Sequence, residues 1–157
     1  MKKHILIRIS MIVAMIVATA GCGPIGPTPG LVIGGEEQPP PADFEFVREH
    51  DLILIRTYFG GWLPQVHNIW GVGVADGIYS TAVPGARWRA RLNDDPNVLV
   101  RVGDNTYELT AARVTDPEII QRAFDAYQEK YGPQLEEILG RPGTIDDMND
   151  LIGFTAR

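Results

Sequence analysis

Three arginines stand at alternate positions in one short segment, Arg87-Trp88-Arg89-Ala90-Arg91. The chain around them is acidic, with 20 Asp and Glu against 14 Lys and Arg and a formal net charge of −6. A local reversal of charge suits an oxyanion, because guanidinium carries a fixed charge and offers forked hydrogen bonds. The same side chains would equally serve as a solvated helix face paired with the abundant carboxylates, and residue type alone does not choose between the two. Other chemistries find less support. His4, His50 and His67 lack metal-ligand spacing, and Cys22 is the single cysteine, so neither a zinc site nor an internal disulfide is expected. Asp146, Asp147 and Asp150 lack calcium-loop spacing and read as a solvated helix end. No serine has the neighbours of a nucleophile elbow, so hydrolysis is not expected.

Cys22 sits in a distinctive context. Lys2, Lys3 and Arg8 form a basic start, and an apolar run from Ile9 to Ala20 follows with Ser10 and Thr19 as its polar breaks. That run is short of the roughly 20 apolar residues that a membrane span needs. With Ala20 and Gly21 before Cys22, it has the layout of an export signal with a cleavage site. The segment resembles a lipobox, with Thr19 in place of the usual leucine-like residue. The resemblance implies that residues 1–21 are a lipoprotein signal peptide and that Cys22 is lipidated, with acyl chains such as palmitate anchoring the domain to a membrane. Gly23, where Asp is absent, fits the Gram-negative pattern for outer-membrane sorting. An exported protein held on the cell membrane or outer membrane, facing the periplasm in a Gram-negative cell, is the expected localisation. Loss of residues 1–21 leaves 11 basic and 20 acidic residues, a net charge of −9. Such a domain repels nucleic acid and anionic lipid, so nucleic acid is not an expected partner and the lipid must do the tethering.

Residues 22–42 read as the lipidated cysteine and a flexible linker, because Pro24, Pro27, Pro29 and the Pro39-Pro40-Pro41 run favour extended geometry without a core. Residues 43–157 form the domain. Asp43 predicts a cap for a short helix over Phe44–His50. Leu52–Ile55 predicts a buried strand, Gly60-Gly61 a turn, and Asn68–Ala75 with Gly77–Thr81 a hairpin about Ala75-Asp76-Gly77. Pro84–Leu92 predicts a turn into a short helix that buries Trp88 and Leu92, four residues apart. Val98–Val102 and Thr106–Val114 predict a second hairpin. Ile120, Phe124, Tyr127 and Tyr131 mark a helix from Asp116 to Tyr131, which Gly132-Pro133 should stop. A short helix over Gln134–Leu139, a last turn over Asp146–Ile152 and an edge strand over Phe154–Arg157 complete the chain.

Strands with flanking helices in this order make an α+β, mainly β fold. Several residues, taken in order, resemble the split β-barrel group that binds flavin or deazaflavin, which includes nitroreductase-like and pyridoxamine-phosphate-oxidase-like families. They are Trp70, Asp76-Gly77-Ile78-Tyr79-Ser80, Gly85-Ala86-Arg87-Trp88-Arg89, Leu92, Asn97 to Gly103, and Ala126 to Gly132. The likeness spans roughly Leu52 to Gly132. It implies an oxidoreductase-like domain whose cofactor, FMN or F420, rests its phosphate on Ser80, Arg87 and Arg89. Trp70, Tyr79 and Trp88 would shape the ring pocket, and a homodimer would bring two copies together at the site. Gly60 to Gln65 departs from the group, which often carries basic and small polar residues in that turn. Trp62, Trp70 and Trp88 read equally well as core. A non-catalytic binding or scaffold lipoprotein on a degenerate barrel is the competing reading, and the residues assign no catalytic side chain.

Overall fold

The computed structural model describes residues 29–75, 77–82 and 85–157, so Cys22, the signal segment and Asp76 lie outside the described residues. Among the described residues eight strands build one sheet: β1 Glu36–Gln38, β2 Ile53–Phe59, β3 Leu63–Ile69, β4 Val72–Val74, β5 Gly77–Ser80, β6 Asn97–Val102, β7 Asn105–Arg113 and β8 Ile152–Ala156. The helices described with them are α1 Arg87–Arg91 and α2 Pro117–Leu139, with short 3-10 helices over Glu45–Glu49 and Ile145–Met148.

The strand order is β3-β2-β6-β7-β8-β5-β4, and β1 pairs with β7 in parallel. The two end strands of this path are consecutive in the chain, with Trp70 and Gly71 between them. Six interstrand steps would hold them about 29 Å apart in a flat sheet. Three Cα–Cα steps reach at most about 11 Å. The sheet therefore has to curl until its edges nearly meet, and Trp70-Gly71 is the seam.

Curling divides the apolar residues into two cores. Inside the curl lie Ile53, Ile55, Ile78, Val98, Val100, Leu109 and Phe154, joined by Trp88 of α1, Leu92 at its C-cap, Phe44 and Val47. Outside, α2 lays Ala123, Tyr127, Tyr131 and Leu135 on Val72, Val74 and Tyr79. β5 separates the two, and the period of two sends Ile78 inward and Tyr79 toward α2. Gly73 is obligatory at the crossing, because a Cβ there would sit 1.6 Å from the Phe44 carbonyl oxygen.

Several expectations need correction. The helix expected to stop at Gly132-Pro133 runs on to Leu139, with Pro133 inside it and Gly140 (φ 66°) as the left-handed cap. Tyr127, Tyr131 and Leu135 continue one buried stripe across the proline, and their packing outweighs the roughly 3 kcal/mol helix penalty of proline. The strand expected over Asn68–Ala75 is divided: its start belongs to β3, Leu63–Ile69, which pairs with β2, and β4 alone makes the hairpin with β5. Pro64 is tolerated because β3 is an edge strand. The C-terminal strand is no edge: β8 lies between β7 and β5, with Phe154 fully buried. The Asp43 carboxylate accepts from the Glu45 N–H at 3.2 Å, and the helix that follows is a 3-10 segment.

The stretch read as a flexible linker is also attached to the sheet over part of its length. Gly30 exchanges two 2.8 Å backbone hydrogen bonds with Val66 of β3. The chain then passes Arg101, which donates to the Ile33 carbonyl at 3.0 Å, and Thr106, which donates to the Gly34 carbonyl at 2.7 Å. Residues 36–38 then enter the sheet beside Asn105–Tyr107. Ile33 is buried by this course, and the segment straps the outer face of β3, β2, β6 and β7.

Candidate functional site

α2 closes the seam with polar groups. The Tyr127 hydroxyl donates to the Trp70 carbonyl (3.0 Å) and accepts from the Thr81 N–H (3.2 Å). The Tyr131 hydroxyl donates to the Asp51 carbonyl (2.8 Å) and accepts from the Gly71 N–H (3.3 Å). The Lys130 ammonium donates to the Val47 and Gly71 carbonyls at 2.8 and 2.9 Å. These bonds satisfy backbone groups that a continuous ladder would otherwise have paired. Burial raises both phenols, Tyr131 to about 12, and lowers Lys130 to about 8. The Trp70 ring stacks on Tyr131, with centroids 4.8 Å apart and planes 7° from parallel.

Beside the seam opens a cleft of about 500 Å³. Trp70, Thr81, Ala82 and Trp88 line it together with Leu135, Ile138, Leu139 and Met148. Its rim carries Asp146, Asp147 and Asp150. Asp147 is committed to structure: Arg141 grips it with two bonds of 2.9 and 2.7 Å, and it accepts from the Thr144 N–H. Those bonds hold its carboxyl well below the usual range. A second cleft of about 470 Å³ lies across α1, with Arg89 and Arg113 in its lining.

The expected site residues do not converge. Trp70 and Trp88 share the first cleft. Tyr79 lies in the outer core under α2. Ser80 is fully buried and its hydroxyl donates to the Trp70 carbonyl at 2.7 Å, so it faces no solvent-borne phosphate. Arg89 is bonded to Asp150, which raises the guanidinium and lowers the carboxyl. Arg113 lies 3.8 Å from the same carboxylate. Arg87 is exposed. Trp62, on the β2–β3 turn, is 75% exposed and belongs to neither core nor cleft.

The third arginine is placed differently. Arg91 Nη1 lies 3.1 Å from His67 Nε2 and 3.4 Å from Thr57 Oγ1, and its guanidinium stands 5.6 Å from the Phe59 ring centre. A guanidinium only donates, so His67 Nε2 is the acceptor and the ring is neutral. Burial, then the Arg91 charge, lowers the imidazole below its ordinary range. Among the described residues, no three His, Cys, Asp or Glu side chains are grouped as a metal site.

A curled, mainly β sheet with two helices, one of them across the seam, defines the class: an α+β split barrel. Solved structures agree. The chain is similar to the heme storage protein HutZ of Vibrio cholerae, at 19% identity and a TM-score of 0.55, covering 72% of this chain and 86% of that one. It is similar to an F420-H2-dependent reductase, FDR-A, at 14% identity and a TM-score of 0.52, covering 79% and 99%. A FAD-binding protein of Mesorhizobium loti matches at 12% identity and a TM-score of 0.50, covering 71% and 84%. Likenesses this distant establish the fold alone. No family model and no curated protein matches the chain.

Proposed function

We propose that the protein is a membrane-tethered envelope lipoprotein whose split-barrel domain binds a flavin or deazaflavin and acts as an oxidoreductase. The observation that carries the reading is the aromatic cleft, walled by Trp70 and Trp88 and large enough for a cofactor-sized ring. Similarity to proteins described as FAD-binding and F420-H2-dependent supports it. The cofactor would supply hydride or electron transfer, and the protein would supply binding and orientation. Trp70, locked against Tyr131, gives the ring a rigid wall. The Thr81 N–H is spent on Tyr127, so the polar contacts available at that wall are few. The expected phosphate cradle of Ser80 and Arg89 does not fit a phosphate: one hydroxyl is buried and one guanidinium already has its carboxylate.

That misfit favours a second reading, a non-catalytic binding or scaffold lipoprotein on the same barrel. The absorbance spectrum of protein purified from its native membrane separates the two. A flavin or deazaflavin band, with thermal stabilisation of stripped protein by FMN, FAD or F420, is expected. No band and no stabilisation by any of the three would leave the scaffold reading. Lipidation of Cys22 is tested by mass spectrometry of the same material, which should show a modified N-terminal cysteine.

A further inference from the structure

The β2–β3 hairpin ends in two aromatics that belong to neither core and neither cleft. Its turn contains Gly60 and Gly61, both at positive φ (61° and 76°), and closes with the Trp62 N–H on the Phe59 carbonyl. The glycines bring no side chains, so Phe59 before them and Trp62 after them make the apolar surface of the tip. They are 56% and 75% exposed. Apolar residues scattered singly over a surface need no explanation, but two large aromatics on one tip do. The hairpin also avoids acid. Residues 52–75 contain no Asp or Glu, in a chain that carries 20. Its charged neighbours are cations: Arg56 stands 5.3 Å from the Tyr58 ring centre, and Arg91 of α1 stands 5.6 Å from that of Phe59. Among the described residues neither has a carboxylate within 4 Å. Asp95, on the approach to β6, is held by the Asn97 N–H and side-chain amide at 2.9 and 3.0 Å. The strap adds position. Gly30 is bonded to Val66, four residues from Trp62 and about 13 Å from it along the strand. The chain that comes from Cys22 therefore joins the sheet on the strand that leads from the tip.

We propose that the β2–β3 tip, through Phe59 and Trp62, inserts into the headgroup region of the bilayer that carries the protein's lipid anchor. The inference rests on the lipoprotein reading, which supplies the bilayer. An indole suits that depth, because its ring is apolar and its N–H finds wet partners there. A hairpin without carboxylates brings no acidic charge to an anionic surface, and Arg56 and Arg91 answer the lipid phosphates. Two side chains bury too little area to hold a domain on a membrane alone. Beside a tether they need not, because the tether keeps the tip at high effective concentration over the surface. The contact is then a second point of attachment.

The test uses the full-length chain made by cell-free synthesis, so that the thiol of Cys22, the single cysteine, is free. That thiol is coupled to a maleimide-headgroup lipid in vesicles of phosphatidylethanolamine and phosphatidylglycerol. The coupling supplies a tether whether or not the native cysteine is acylated, which mass spectrometry of native material decides separately. Tryptophan emission is then read with and without lipids brominated near the headgroup. Brominated lipid should quench the wild type. Trp62→Ser should lose most of that quenching, because Trp88 is buried and Trp70 is stacked on Tyr131. Phe59→Ser should weaken it several-fold, and Ile145→Ser, an exposed apolar residue away from the hairpin, should leave it unchanged. Trp62 is exposed, so its variant keeps the fold, which circular dichroism checks. The proposal is overturned if the wild type is not quenched, or if Trp62→Ser is quenched equally. It is also overturned if the tip instead seats a second copy: the wild type would be a dimer in detergent, Trp62→Ser a monomer, and bromine would not reach Trp62. An acylated native cysteine without quenching leaves a tethered domain that lacks this contact. Quenching with an unmodified native cysteine keeps the contact and removes the lipoprotein reading.

Discussion

Replacing Tyr127 by Phe removes one oxygen from the place where the barrel edges meet. That oxygen is fully buried, donates to the Trp70 carbonyl and accepts from the Thr81 N–H. The Trp70 carbonyl keeps a second donor, the Ser80 hydroxyl at 2.7 Å. The Thr81 N–H keeps none that the structure shows, so the change orphans one partly buried donor rather than a donor and an acceptor. An unsatisfied buried group costs about 1–3 kcal/mol, and the near-isosteric ring leaves little cavity. A loss of about 2 kcal/mol corresponds to a Tm drop of about 6–10 °C for a domain of this size. Urea unfolding followed by tryptophan fluorescence reads it directly, since Trp70 is bonded to the altered residue. The midpoint should fall with the m-value unchanged. A loss below about 0.5 kcal/mol would show that water reaches the Thr81 N–H, and the description of the seam as closed by α2 would be wrong.

The same seam predicts an alkaline stability profile. Lys130 titrates near 8 when folded, below its ordinary 10.5, so the unfolded chain binds the extra proton between those values and stability should rise with pH there. The half-exposed side chain limits the gain to about 1–2 kcal/mol after allowance for solvent screening. Tyr131, raised to about 12, contributes fully below the ordinary tyrosine value near 10 and loses its contribution as pH climbs through the folded one. Urea midpoints measured across this range should rise and then fall, and Lys130→Met should abolish the rise alone. Gly73→Ala should prevent folding, at a cost above about 4 kcal/mol, because the new Cβ meets the Phe44 backbone; soluble, protease-resistant protein would contradict the inward course of that residue. Asp150→Asn frees Arg89 and should leave thermal stabilisation by FMN unchanged, whereas stronger stabilisation would give Arg89 a part in holding the cofactor phosphate.

The elements most legible in the sequence are those whose burial is local. The α1 pair Trp88 and Leu92 is buried as their four-residue spacing predicts, and β6–β7 turns at Gly103 (φ 59°) as its composition predicts. What escaped was set by the sheet as a whole. Pro64, Gln65, His67 and Asn68 hide β3 because an edge strand needs neither full hydrogen bonding nor clean alternation. Phe154 looked terminal, hence peripheral, yet two distant strands flank it. Ser80 has the right residue type for phosphate, but its neighbour is a carbonyl ten residues earlier. Tyr127, Lys130 and Tyr131 did leave a trace, as polar atoms on a stripe otherwise fit only for burial. Arg91 and His67 left none, because 24 residues separate them and only the curl of the barrel brings them to 3.1 Å.

The strap over the outer face changes what kind of tether the proposed lipid on Cys22 would make. Among the described residues its first bond to the sheet is at Gly30, eight residues from that cysteine, so the leash would span at most about 29 Å when fully stretched. Had all of residues 22–42 been free, the reach would have been about 70 Å. On such a leash the β3 strand, to which Gly30 is bonded, would stay within about 29 Å of the lipid.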